Sequence, residues 1–98
     1  MKDAFRVDLR IDANHPALAG HFPGDPVVPG VVLLERVAAA WKAWRGGIVG
    51  RLDARFTRPL RPAEDAAIHL CGDAARVRFE VTRGDGAVIA QGHMEVTT

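Results

Sequence analysis

The sequence predicts an α+β fold, one long central helix wrapped by a curved antiparallel sheet of about five strands, and three observations carry that expectation. Val31 to Arg45 runs fifteen residues without glycine or proline, room for roughly four helical turns, and is charged only at Glu35, Arg36, Lys42 and Arg45. Most of its circumference is therefore apolar and is expected to be enclosed by protein. Five further stretches alternate apolar and polar residues with a period of two, one before the helix and four after it. Only short turn-forming clusters separate them, with no repeat, linker or low-complexity run. The 98 residues, 48% apolar, thus read as a single domain over 1–98.

The first strand is expected where Phe5, Val7, Leu9 and Ile11 alternate with Arg6, Asp8, Arg10 and Asp12. Ala13-Asn14-His15-Pro16 ends it, because a residue before proline is pushed out of the helical region and asparagine favours turns. Between Gly20 and Gly30, three prolines and three glycines in eleven residues exclude both helix and central strand, so this segment is expected to be a stiff loop. The helix follows, and Gly46-Gly47 stops it. The second strand sets Ile48, Gly50, Leu52, Ala54 and Phe56 against Val49, Arg51, Asp53 and Arg55, and ends at Arg58-Pro59. After a turn at Pro62–Asp65 come a strand through Ala66, Ile68 and Leu70, a turn at Gly72-Asp73, and a strand through Ala75, Val77, Phe79 and Val81. Gly84-Asp85-Gly86 turns the chain into a last strand, with Val88, Ala90, Gly92, Met94 and Val96 opposite Ile89, Gln91, His93 and Glu95. The four strands after the helix are expected to run as an antiparallel meander. One small sheet around one helix leaves an edge or a face in need of cover, so association into a dimer is expected.

Composition narrows the chemistry. No 18-residue apolar run or leader-like segment is present, so the reading is a soluble, cytoplasmic protein without membrane insertion. Cys71 is the single cysteine, which excludes an internal disulfide and any multi-cysteine zinc site. His69 and His93 fall on outward strand positions without ligand-spaced partners, so no metal is expected. The net charge of +1 conceals an excess of five positive charges between Lys42 and Arg61, where only Asp53 is acidic. An acidic protein partner suits that surface better than nucleic acid, and ordinary outward strand residues are the plain alternative.

The run His21-Phe22-Pro23-Gly24-Asp25-Pro26-Val27-Val28-Pro29-Gly30-Val31, followed by Leu33-Leu34-Glu35, resembles the hot-dog-fold β-hydroxyacyl-acyl carrier protein dehydratases. A second block, Leu52-Asp53-Ala54-Arg55-Phe56-Thr57-Arg58-Pro59-Leu60-Arg61-Pro62-Ala63-Glu64-Asp65, is similar to the family's strand after the helix, and Phe79-Glu80-Val81, Asp85-Gly86 and Met94 fit its closing hairpin. The resemblance covers nearly the whole chain. It implies a hot-dog fold and a lyase that converts (3R)-hydroxyacyl-acyl carrier protein to the trans-2-enoyl form, in fatty acid or polyketide and aryl-polyene synthesis. His21 and Glu35 would be the catalytic pair. Gly30 would lend its N–H to the thioester carbonyl, with Val31, Phe22 and Pro29 around the substrate and Arg55, Arg58 and Arg61 facing the carrier. No cofactor is implied. Family members share each site across a dimer, histidine from one subunit and acid from the other, so a homodimer, a higher oligomer or a heterodimer is implied. Glutamate at position 35 resembles the branch that dehydrates without isomerising. The chain differs from the common pattern in lacking the segment that usually precedes the first strand, in Arg36 and Ala39 after the acid, and in Ala63 where the turn usually carries glycine.

Such chemistry asks for a base at the α-carbon, an acid at the departing hydroxyl, and donors for the charge that builds on the thioester oxygen. Histidine serves the first role near neutral pH. For the second, a carboxyl enclosed by Leu33, Leu34 and Val37 would favour its protonated form. The bare N–H groups of a helix start at Gly30-Val31 suit the third. Each residue also has a plain reading: His21 as a structural loop histidine, His15 as a turn residue, and Glu35 on a solvent-facing line through Ala38, Ala39 and Lys42. Trp41 and Trp44 read as core or interface residues, or as the floor of an acyl tunnel. A thioesterase on the same fold, or a non-catalytic partner subunit that binds the carrier, are the competing functions.

Overall fold

The computed structural model describes residues 3–18, 26–72 and 75–97. His21 and Phe22, with the expected stiff loop as far as Asp25, lie outside the described residues, as does Asp73 of the first hairpin turn. Strand β1 (Asp3–Leu9) is followed by a single 3-10 turn (Pro16–Leu18), helix α1 (Gly30–Arg45), β2 (Ile48–Phe56), β3 (Ala66–Gly72), β4 (Arg76–Arg83) and β5 (Val88–Thr97). The strands form one sheet in the order β1-β3-β4-β5-β2, and each neighbouring pair is antiparallel.

That order corrects the expected four-strand meander. Only β3, β4 and β5 follow one another; β2 pairs with β5 and β1 with β3, so the strands flanking the helix occupy opposite edges. The connection explains it. Sixteen helical residues span about 24 Å, enough to carry the chain across five strands spaced about 4.8 Å apart. α1 ends at Gly46, whose left-handed backbone (φ 75°) lets its N–H reach the Lys42 carbonyl at 2.8 Å.

The core lies between α1 and one face of the sheet. Val32, Leu33, Val37, Ala40 and Trp41 are buried there against a layer that includes Ile68, Leu70, Val77, Phe79, Val81 and Met94. On the other side, Val31, Glu35, Arg36, Ala39, Lys42 and Ala43 are exposed. The expected all-round enclosure is therefore not supplied by a single chain, because one sheet can cover only one stripe of a helix.

Two bulges shift the expected strand faces. In β2 the register slips between Val49 and Arg51, so that Gly50 is the extra residue and Val49 and Leu52 both pack towards the core. In β5 the slip skips Ile89, which is fully buried rather than outward, and its carbonyl receives the N–H groups of Thr57 (2.9 Å) and Arg58 (3.4 Å). In the last turn of the helix, Trp44 stacks on Phe5 with ring centroids 5.6 Å apart. Trp41 meets Trp44 edge-on at 5.8 Å, and the Arg45 guanidinium covers the Trp44 ring at 4.4 Å. Trp41 thus serves the core, about 16 Å along the helix from Gly30. None of the helices described is long and apolar enough to cross a membrane.

Candidate active site

α1 begins abruptly. Pro29 precedes it in an extended conformation (φ −60°, ψ 144°) and offers no side-chain cap, while its carbonyl accepts from Val32 (3.0 Å) and Leu33 (3.4 Å). The N–H groups of Gly30 and Val31 have no partner among the described residues. Two donors at the positive end of a helix dipole are a ready receptor for an oxygen that gains negative charge. Gly30 leaves room for its neighbour: a Cβ at this position would stand 2.8 Å from the Phe56 ring, which would have to shift. The ring fills the space a side chain would have taken.

Gly30 borders a groove of about 530 Å³, walled by Val28, Pro29, Leu33, Phe56, Pro59 and Leu60 and edged by Arg58. Its lining is largely apolar, as an acyl chain needs. The far wall is held by a network. Val28 N–H donates to the Leu60 carbonyl (2.7 Å), Thr57 Oγ1 donates to the Val88 carbonyl (2.7 Å), and Arg83 Nη1 donates to the Pro59 carbonyl (3.3 Å). Arg83 is itself held by Asp85 through two contacts, 3.1 Å from Nε and 3.0 Å from Nη2. That side-chain bond, and then the Ala87 N–H, hold the Asp85 carboxyl below its usual range; in return the Arg83 guanidinium is held still more firmly protonated. Phe56, Leu60 and the Arg83–Asp85 pair were not singled out by sequence reasoning. The signal for Phe56 was there, since an aromatic ending a strand beside a proline-rich turn has no inner layer to enter.

Of the residues expected at the site, Gly30, Pro29 and Val31 converge at the helix start. Val31 is 61% exposed. Glu35 lies on the exposed stripe that also holds Val31 and Ala39, five residues into α1, and its carboxylate has no partner among the described residues. Its expected enclosure by Leu33, Leu34 and Val37 is corrected: Leu33 and Val37 turn to the core, and Glu35 turns away. This is the solvent-facing line the plain reading described. His21 and Phe22 lie outside the described residues.

The basic excess is divided. Lys42 and Arg45 sit in the last turn of α1, where cations oppose the dipole. Arg51 leans on Asp53 at 3.5 Å. Arg58 borders the apolar groove, and Arg61 is exposed in the turn just beyond it, its N–H donating to Glu64 Oε1 (2.6 Å). Arg55 instead joins Asp53, Arg78 and His93 around a separate polar depression. His69 bonds Thr82 at 3.0 Å and His93 pairs with Asp53 at 3.4 Å, so both work within the sheet's outer face.

A family model described as ApeI-like, ApeI dehydratase, matches residues 1–93. The chain is 35% identical over 95 residues to the 3-hydroxyacyl-[acyl-carrier-protein] dehydratase FabZ of Rhizobium rhizogenes, covering 83% of this chain and 60% of that protein. With the FabZ of Klebsiella pneumoniae it shares 32% over 105 residues, 91% of this chain and 70% of the relative. Among solved structures, the dehydratase heterocomplex ApeI:P from Xenorhabdus doucetiae superposes with a TM-score of 0.83 over the whole chain and 95% of its counterpart. Identity there is only 18%, so that likeness speaks for the fold.

Proposed function

The chain belongs to the ApeI-like dehydratase family, and from that premise we propose that it removes water from (3R)-hydroxyacyl chains carried as thioesters on acyl carrier protein, giving the trans-2-enoyl thioester. The observation that carries the reading is the helix start beside an apolar groove: two amides, at Gly30 and Val31, without a partner among the described residues, with a carboxylate on the next turn at Glu35.

In this reading the thioester oxygen rests on the Gly30 and Val31 N–H groups, which strengthen their hold as charge gathers there. The His21 imidazole takes the α-proton. The electron pair of that C–H bond becomes the new double bond as the β-carbon–oxygen bond breaks, and the departing hydroxyl takes a proton from the Glu35 carboxyl and leaves as water. The pair then resets by returning the proton from imidazolium to carboxylate. A carboxyl that must be enclosed to hold its proton, yet stands open on one chain, supports a second subunit closing over it. We therefore assign His21 and Glu35 of each site to facing subunits. Arg58 and Arg61, beside the groove, are the cations offered to an acidic carrier.

The test is purified protein with a β-hydroxyacyl-carrier substrate, followed by mass spectrometry of the carrier. Loss of one water is expected; free acid and thiol would instead make it a thioesterase, and no change would leave only a binding role. His21→Ala and Glu35→Ala should each abolish turnover. Mixing the two inactive variants under subunit exchange should restore roughly a quarter of the sites, because a mixed dimer holds one intact pair. No recovery after demonstrated exchange would end the shared-site assignment.

A further inference from the structure

We propose that Arg83 is a positioning residue for the reaction: clamped by Asp85 at the tip of the β4–β5 hairpin, it fixes the Pro59–Leu60 wall of the groove and, through it, the Gly30 and Val31 amides. The proposal rests on the dehydration reading and adds the part of the fold that sets its geometry. Past Phe56, where β2 ends, the chain leaves the sheet but stays tied to the hairpin. Thr57 and Arg58 hang from it by their N–H groups, both on the Ile89 carbonyl, and Thr57 Oγ1 donates to the Val88 carbonyl. Pro59 has no N–H, so its carbonyl is its one backbone hydrogen-bonding group, and among the described residues it accepts from Arg83 Nη1 alone, at 3.3 Å. The next carbonyl, of Leu60, accepts from the Val28 N–H at 2.7 Å, and Val28 reaches Gly30 across a single proline of fixed φ. The wall is thus held to the hairpin on one side and to the helix start on the other.

Arginine is the side chain this junction needs. Its guanidinium divides three nitrogens between two tasks: Nε and Nη2 meet the two oxygens of Asp85 at 3.1 and 3.0 Å, which leaves Nη1 for Pro59. Lysine offers one nitrogen and cannot hold both partners in this geometry. Asp85 is fixed in turn. Its Oδ1 also accepts from the Ala87 N–H at 3.1 Å, and the turn is closed by the Arg83 N–H on the Ala87 carbonyl at 2.8 Å. The Gly84 N–H donates to the Asp65 carbonyl at 2.8 Å, so the hairpin tip is also tied to the far end of the loop that carries Pro59. Each link is a directed bond to a carbonyl, so a small displacement at the hairpin passes to the groove wall and on to the amides. A cation beside the site could instead serve an acidic carrier, but the charge of Arg83 is already matched by Asp85. Arg58, by contrast, has no ion-pair partner among the described residues.

Arg83→Lys separates the roles, since it keeps the charge and gives up the third contact. With a β-hydroxyacyl-carrier substrate, R83K should show kcat lowered about tenfold and KM within about twofold of the parent, because the amides act on the transition state more than on binding. Exchange of the Val28 amide proton, followed by NMR, should quicken about tenfold, while the protected amides of β3 and β4 keep the parent rates. Asp85→Asn, which loosens the clamp, should lower kcat about threefold, and the double variant R83K/D85N should stay within about twofold of R83K, since both changes act on one path. Parent-like kcat in R83K, a rise confined to KM, or Val28 exchange at the parent rate overturns the proposal. Should R83K fail to fold, D85N is read by the same two measurements. A parent that leaves every hydroxyacyl-carrier substrate intact sinks the dehydration reading, and Val28 exchange then decides the clamp by itself. An active parent with an indifferent R83K sinks the clamp and leaves that reading standing.

Discussion

Ala63 sits at φ 64°, in the left-handed region that L-residues with a Cβ avoid, while its N–H donates to the Ile11 carbonyl at 2.7 Å. The turn keeps its shape because that bond and the neighbouring Glu64–Arg61 contacts hold it. Ala63→Gly should relieve the strain. Part of the gain returns as extra freedom of the unfolded chain, so chemical denaturation should report a net stabilisation of about 0.5–1 kcal/mol. Asp85 acts through pH. Its folded-state carboxyl is held below its unfolded value, chiefly by Arg83, so the stability it contributes is present above about pH 4 and lost as pH falls through the lower folded value. Asp85→Asn should therefore melt below the parent at neutral pH, with the two curves converging in acid. A gap that widened in acid would refute the sign.

The helix start is where a local choice has its widest effect. A methyl group at position 30 would press on Phe56, but the ring is half exposed and can swing aside. Gly30→Ala should thus cost no more than about 1 kcal/mol of stability, while displacing the groove wall by enough to lower kcat/KM about a hundredfold. Equal losses in both would make Gly30 a packing residue only. Much of this element was legible in the chain. The run from Val31 to Arg45 and the Gly46 stop match the observed helix, and the period-two stretches match all five strands to within a few residues. What misled at this scale was the assumption of unbroken alternation. The bulges at Gly50 and Ile89 each add one residue, so Val49 and Ile89 turn inward against the expected alternation, while Leu52, Ala90, Met94 and Val96 keep it.

At the scale of the whole molecule, α1 has one stripe in the core and one open to solvent, and the β2 edge of the sheet, which has no further strand beside it among the described residues, carries exposed apolar groups. On the proposed shared site, activity depends on association. Specific activity should fall on dilution below the dimer dissociation constant and return on concentration, whereas a self-sufficient chain would hold it constant.

By itself the sequence determined the number and kind of elements, most of the inner layer, and the motif from His21 to Glu35, since these follow from local periodicity, turn chemistry and the spacing of residues along one chain. It did not decide that β1 and β2 lie at opposite edges, that Glu35 faces outward, or that Phe56 lies against Gly30. Those depend on which strand edges meet and which side of the helix the sheet covers. Such choices are made by contacts between residues far apart in the chain, and no local pattern encodes them.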